Sequence, residues 1–126
     1  MTPDGAFYSV RVAYDEGLAD RVRELLLAED LSERRMFGGL AFLIGGNMAV
    51  AASSQGGLLV RVDPSASATL IATTSARPME MRGRPMSGWL HVDASSVRTK
   101  RQLAKWVTIG SSYARSLPTK VQHLTR

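Results

Sequence analysis

The stretch Leu40-Ala41-Phe42-Leu43-Ile44-Gly45-Gly46-Asn47-Met48-Ala49-Val50-Ala51-Ala52 decides the fold. Two apolar runs flank a Gly-Gly-Asn connection. Glycine and asparagine accept the positive φ that a tight hairpin turn demands, so the stretch predicts a β-hairpin. Ser53 to Gly57 supply a second turn, and Leu58-Leu59-Val60-Arg61-Val62 a third β-rich run. Together they predict an antiparallel meander of three strands.

Helices flank the meander. Leu18, Val22, Leu25 and Leu26 recur at helical spacing and predict a helix over residues 15–28, with Asp15 as its N-cap. After the meander, Asp63-Pro64 is a helix start, because Asp caps and proline's missing N–H costs nothing in the first turn. That short helix is expected over residues 64–74, until Arg77-Pro78 breaks it. Residues 79–82 and 88–92 then read as two strands around Gly83-Arg84-Pro85. The last helix is expected to be capped by Ser95 or Ser96 and to run to about residue 116, before Pro118. Leu103, Trp106, Val107, Gly110, Tyr113, Ala114 and Leu117 form its apolar face, with Arg98, Arg101 and Lys105 nearly opposite. The order is α-β-β-β-α-β-β-α: an α+β domain whose antiparallel sheet needs helices on at least one face. The expected organisation is a lead over residues 1–12, one domain over 13–117, and a polar tail over 118–126. Residues 7–13 are read as a brief strand or a packed tail.

The chain has 126 residues, a length that favours one domain. It contains no cysteine, which excludes disulfides, thiolate nucleophiles and thiolate metal sites. No stretch approaches the roughly 20 apolar residues that span a bilayer, and the N-terminus lacks a secretory layout, so a cytoplasmic location is expected. Charge is uneven. Residues 1–76 hold six Lys/Arg against nine Asp/Glu, whereas residues 77–126 hold ten against two, Glu80 and Asp93. Such asymmetry points to an anionic partner or an oriented contact.

Arg34-Arg35-Met36-Phe37-Gly38-Gly39-Leu40-Ala41-Phe42 resembles the signature of the TfoX/Sxy N-terminal domain family: a basic residue, Met-Phe-Gly-Gly, then a hydrophobic strand. Leu58 to Asp63, Arg82-Gly83-Arg84-Pro85-Met86, Trp89-Leu90-His91-Val92 and the helix ending in Tyr113-Ala114-Arg115 are similar to the family's later segments, in the same order. The resemblance covers residues 13–117. It implies an α-β(3)-α-β(2)-α fold with a topology similar to that of secretion chaperones. It also implies a role in regulating natural competence, where the best-known members promote transcription of DNA-uptake genes alongside a cyclic-AMP receptor protein. Those members carry a second, helical domain, and this chain is expected to represent the N-terminal module alone. The resemblance supplies no catalytic residues.

Other chemistry finds little support. Arg34 to Gly39 lacks the Walker and GxGxxG patterns and precedes a strand, so its glycines are expected to shape a bulge or bend, with Met36 and Phe37 in the core. His91 and His123 stand without a metal-ligand spacing, and no serine sits in a nucleophile elbow. No catalytic, cofactor or metal site is expected, and His91 is read as a strand-face residue. Arg77, Arg82, Arg84, Arg98, Arg101 and Lys105 are the candidate contact residues, expected to form one basic patch. Met36, Met48, Met79, Met81 and Met86 lie in or beside the expected sheet, either as core or as an adaptable binding face. The leading expectation is a non-enzymatic interaction module with an acidic protein partner, a homodimer being among its possible assemblies. Direct nucleic-acid binding through the basic patch is the alternative, and a small enzyme the third option.

Overall fold

The computed structural model describes residues 14–27 and 30–120. In chain order the elements are α1 (Glu16–Leu25), β1 (Leu31–Met36), β2 (Gly39–Ile44), β3 (Asn47–Ala52), β4 (Leu58–Arg61), α2 (Ser67–Thr73), β5 (Arg77–Met81), β6 (Arg84–Val92) and α3 (Lys100–Ser116). Single 3-10 turns at Pro64–Ala66 and Ala94–Ser96 lead into α2 and α3. The fold is α+β. One sheet runs in the order β1-β2-β3-β4-β6-β5, and every neighbouring pair is antiparallel. The expected lead over 1–12, the strand over 7–13, the end of α1 at Ala28 and the tail beyond Lys120 lie outside the described residues.

Four strands precede α2, one more than the sequence predicts. The additional strand is β1, which pairs Leu31 with Ile44 and Met36 with Gly39. Its sequence, Leu-Ser-Glu-Arg-Arg-Met, is exposed over its middle four residues on both faces, so it lacks the apolar alternation that announces a strand. The hairpin into β2 turns at Phe37 and Gly38, with φ of 57° and 76°. Two-residue hairpins of type I′ need positive φ at both central positions. The predicted Gly45-Gly46 turn has the same form, at 59° and 82°, and Asn47 opens β3. A third such turn falls at Arg82 and Gly83, not at Gly83-Arg84-Pro85. Arg84 and Pro85 belong to β6, and Arg77 and Pro78 to β5. Proline is tolerated there because β4 pairs only with the Trp89 to Val92 part of β6.

All three helices pack on one face of the sheet. Leu18, Ala19 and Val22 of α1 and Leu103, Trp106, Val107 and Ala114 of α3 join Leu40, Phe42, Val50, Leu58, Val60, Leu90 and Val92 in the main core, and α2 adds Leu70 and Ile71 at its margin. A bulge between Phe42 and Leu43 in the β2–β3 pairing brings Ala49 into this core. There α3 meets the sheet at its tightest: a Cβ at Gly110 would collide with the Ala49 carbonyl oxygen and crowd Val50. Mid-helix glycine costs roughly 1 kcal/mol in propensity, and close approach to the strand offsets it. The N-cap of α3 is Thr99 rather than Ser95 or Ser96. Thr99 Oγ1 accepts from Gln102 N–H at 3.0 Å and Gln102 Oε1 from Thr99 N–H at 2.9 Å, a complete capping box. After α3 the chain returns to the sheet: Asn47 Nδ2 donates to Pro118 O at 2.9 Å and Lys120 N to Gly45 O at 2.9 Å. Residues 118–120, expected to be tail, therefore hold the β2–β3 turn.

The other face carries a second core of Ala41, Leu43, Ala51, Leu59, Met79 and Trp89, flanked by Met36, Phe37, Met48 and Met86. No helix contributes to it. Phe37, beyond β2, meets Trp89 of β6 edge to face, with ring centroids 5.9 Å apart. Three strand spacings would separate these residues by roughly 14 Å in a flat sheet. The two side chains each reach toward the other across that distance, and the face between them is hollowed into a cleft lined by Phe37, Leu59, Met79 and Arg82, which makes it concave. The bend is built into β5–β6, where Pro78 pairs with Leu90 but Glu80 with Pro85, leaving extra residues on β6 around Gly88 at φ 81°. Bulges increase twist and bend a strand in this way. Among the described residues, strands and turns alone make this core.

Gly110→Ala is expected to destabilise the domain by about 1–3 kcal/mol in urea unfolding, despite alanine's better helix propensity, because the overpacking cost exceeds the propensity gain. Arg23 of α1 and Glu33 of β1 form a two-bond ion pair, with Nη2 to Oε1 at 2.9 Å, and the guanidinium holds the Glu33 carboxyl below its ordinary value. A carboxylate lowered by folding adds stability that is present above its unfolded value and lost as pH falls through the folded one. Acid unfolding of Glu33→Gln should accordingly show a shallower loss of stability in that acidic range than the parent.

Candidate functional site

The six expected contact residues form two groups, not one patch. Arg98, Arg101 and Lys105 gather at the start of α3, on the helix-covered side. Arg77, Arg82 and Arg84 belong to β5, its turn and β6, and Arg77 and Arg82 line a cleft over the second, concave face. Arg77 is already engaged, donating from Nη1 to Asp93 Oδ1 at 2.8 Å.

At α3, Arg98, Lys100, Arg101 and Lys105 are all exposed, and none has an anionic partner among the described residues. Lys105 lies with Nζ 5.5 Å from the Trp106 ring centroid. Arg21 of α1 extends the group. Its Nη2 donates to the carbonyls of Val97 at 3.0 Å and Arg98 at 2.9 Å, tying α1 to the approach of α3. Hydrophobic spacing gives no sign of this contribution, since Arg21 lies 76 residues from Val97. The first turn of α3 contains no acid. A helix N-terminus carries partial positive charge, so Lys100 and Arg101 stand where cations are least favourable. Folding gives no reason for them there.

The signature segment is shaped by its turn. Arg34 is exposed on β1, and Arg35 lies with Cζ 5.7 Å from the Tyr14 ring centroid. Met36 and Phe37 border the second core. Gly38 takes positive φ, and a Cβ at Gly39 would strike the Ala52 carbonyl oxygen. The glycines thus permit a hairpin and a close strand contact, the bend read from the sequence.

The cleft has a volume of about 700 Å³. One lip is Phe37 with Ser53, Ser54 and Gln55; the other is Met81, Arg82 and Gly83; Leu59, Met79 and His91 lie between. His91 is 7% exposed, with Nε2 3.0 Å from Gly56 O. A carbonyl only accepts, which fixes the proton on Nε2. Nδ1 has no hydrogen-bond partner and lies 3.5 Å from Asp93 Oδ1. His91 is thus a strand-face residue held by a backbone carbonyl. Among the described residues no group of three or more His, Cys, Asp or Glu is placed to hold a metal ion. No described helix is long and apolar enough to cross a membrane.

A six-stranded sheet with helices on one side and a Met-Phe-Gly-Gly hairpin at its edge defines an α+β module. The family model of the TfoX N-terminal domain matches residues 24–114, most of the chain. The chain belongs to the TfoX N-terminal domain family. No curated protein matches it.

If Lys100 and Arg101 serve a contact rather than the fold, Lys100→Glu with Arg101→Glu should raise stability. Reversing charge at the positive helix end is worth about 0.3–1 kcal/mol per residue, readable as a higher urea midpoint. A lower midpoint would assign these cations a structural role.

Proposed function

We infer that this domain is a non-catalytic regulatory module that docks an acidic protein surface through the cations around the start of α3. The supporting observation is the group Arg98, Lys100, Arg101 and Lys105, unpaired among the described residues and set against the helix dipole. Uncompensated cations of this kind steer an anionic partner at long range and fix its orientation more than they add affinity. Family membership supports a part in transcriptional regulation of competence-type genes, in the cytoplasm, with the partner a component of that machinery.

Direct nucleic-acid binding would use the same charge. Among the described residues, the exposed faces lack the aromatic stacking platform that single-strand recognition uses, and no element has the form of a recognition helix preceded by a tight helical turn. The protein reading is therefore preferred.

Affinity purification from the native host, with and without nuclease, separates the two. The parent should capture an acidic protein in a nuclease-resistant manner, and Arg98→Glu with Arg101→Glu should lose it while remaining folded. Undiminished capture by the variant would overturn the proposed surface. Nuclease-sensitive capture, together with a mobility shift that weakens steeply with salt, would establish the nucleic-acid reading instead.

A further inference from the structure

The concave-face cleft lies across the sheet from α3 and plays no part in the proposed partner contact. Among the described residues, the non-glycine residues at positive φ are Phe37 and Arg82, at 57° and 56°. Both line this cleft, on opposite lips. Left-handed backbone costs an ordinary residue roughly 1–2 kcal/mol, and Asn, Asp or Gly would hold either turn more cheaply. Phe and Arg are thus retained against local preference at two turns that face one space, the pattern of strain stored at a site.

The lining is divided by chemistry. Phe37, Leu59, Met79 and Met81 offer an apolar wall, and the methionines can adapt to an irregular body. Polar groups at the cleft are of both kinds: the Arg77 and Arg82 guanidiniums and the Ser53 hydroxyl donate, whereas the Glu80 carboxylate and His91 Nδ1 accept. Arg82 is exposed and has no ion pair among the described residues. Ser53, 5% exposed, accepts from Gln55 N–H at 3.0 Å, which leaves its own O–H to donate. Arg77 is compensated by Asp93. Glu80, the acid on this lining, is exposed on β5 next to Met79 and Met81. A volume of about 700 Å³ lies within the range of small-molecule sites.

We propose that this cleft binds a small amphipathic carboxylate. The apolar body lies along Phe37, Leu59, Met79 and Met81, and the carboxylate meets the Arg82 guanidinium.

Decanoate is a suitable probe, followed through the methionine methyl signals of the intact chain by NMR. Millimolar decanoate should shift Met79 and Met81 saturably. Arg82→Asn removes the charge while keeping a residue that tolerates the left-handed turn, and it should weaken binding at least tenfold. Arg82→Gly is the second variant should the first fold poorly, with the same expected loss. Decanol, with the same chain and no charge, should bind at least tenfold more weakly than decanoate. No saturable shift with decanoate, shifts confined to Met36 and Met48, equal affinity in a folded Arg82 variant, or equal affinity for decanol would each overturn the proposal.

Discussion

Burial of the central strands on both faces is the constraint from which the rest of this domain follows. Ala41, Leu43, Ala51 and Leu59 alternate with Leu40, Phe42, Val50, Leu58 and Val60, and both sets are buried. An antiparallel sheet usually leaves one face to water. Here three helices cover one side, and the second side is enclosed by curvature. The bulges of β5–β6 and the edge-to-face contact of Phe37 with Trp89 express that curvature. Methionines at 36, 48, 79 and 86 fill the irregular space that results. The cleft is what remains between the two lips of the bent sheet.

The two faces are consequently given different chemistry. On the helix side, capping by Thr99 and Gln102 satisfies the first backbone donors of α3 without any acid. That frees the surrounding positions for cations, and the exposed charge there is surplus to folding. On the concave side Arg77 is paired with Asp93 while Arg82 has no ion pair among the described residues, and Phe37 and Arg82, both at positive φ, line the cleft. The hairpin signature serves the turn: Gly38 takes positive φ, and Gly39 permits the close approach to the Ala52 carbonyl.

Much of the architecture was legible in the chain because periodicity and turn chemistry report it. The Gly45-Gly46 hairpin, the Asp63 cap and most of the apolar stripe of α3 are local signals that the structure keeps, although Asn47 opens β3, Ser111 joins the buried stripe, and Tyr113 and Leu117 are only half-buried. Strand β1 was not legible, since Leu31 to Met36 lies at an exposed edge and carries charges on both faces. The β5–β6 turn was displaced by Pro85, which looks like a breaker but pairs with Glu80 where β6 has β5 alone beside it. At α3 several residues compete as caps, and Thr99 prevails because Gln102 completes a reciprocal pair. The basic residues were identified, but their division between two sides of the sheet depends on the bend. So does the cleft, whose lining comes from residues 37, 53–55, 59, 77–83 and 91.

Curvature of the second face is therefore the claim on which both the core and the cleft rest. It is tested most directly by nuclear Overhauser contacts between the Phe37 ring and the Trp89 indole in the intact chain. Strong cross-peaks between the two rings are the outcome that curvature requires, given centroids 5.9 Å apart. Their absence, with the β2–β3–β4–β6 ladder otherwise intact, would mean a flat sheet and would contradict it.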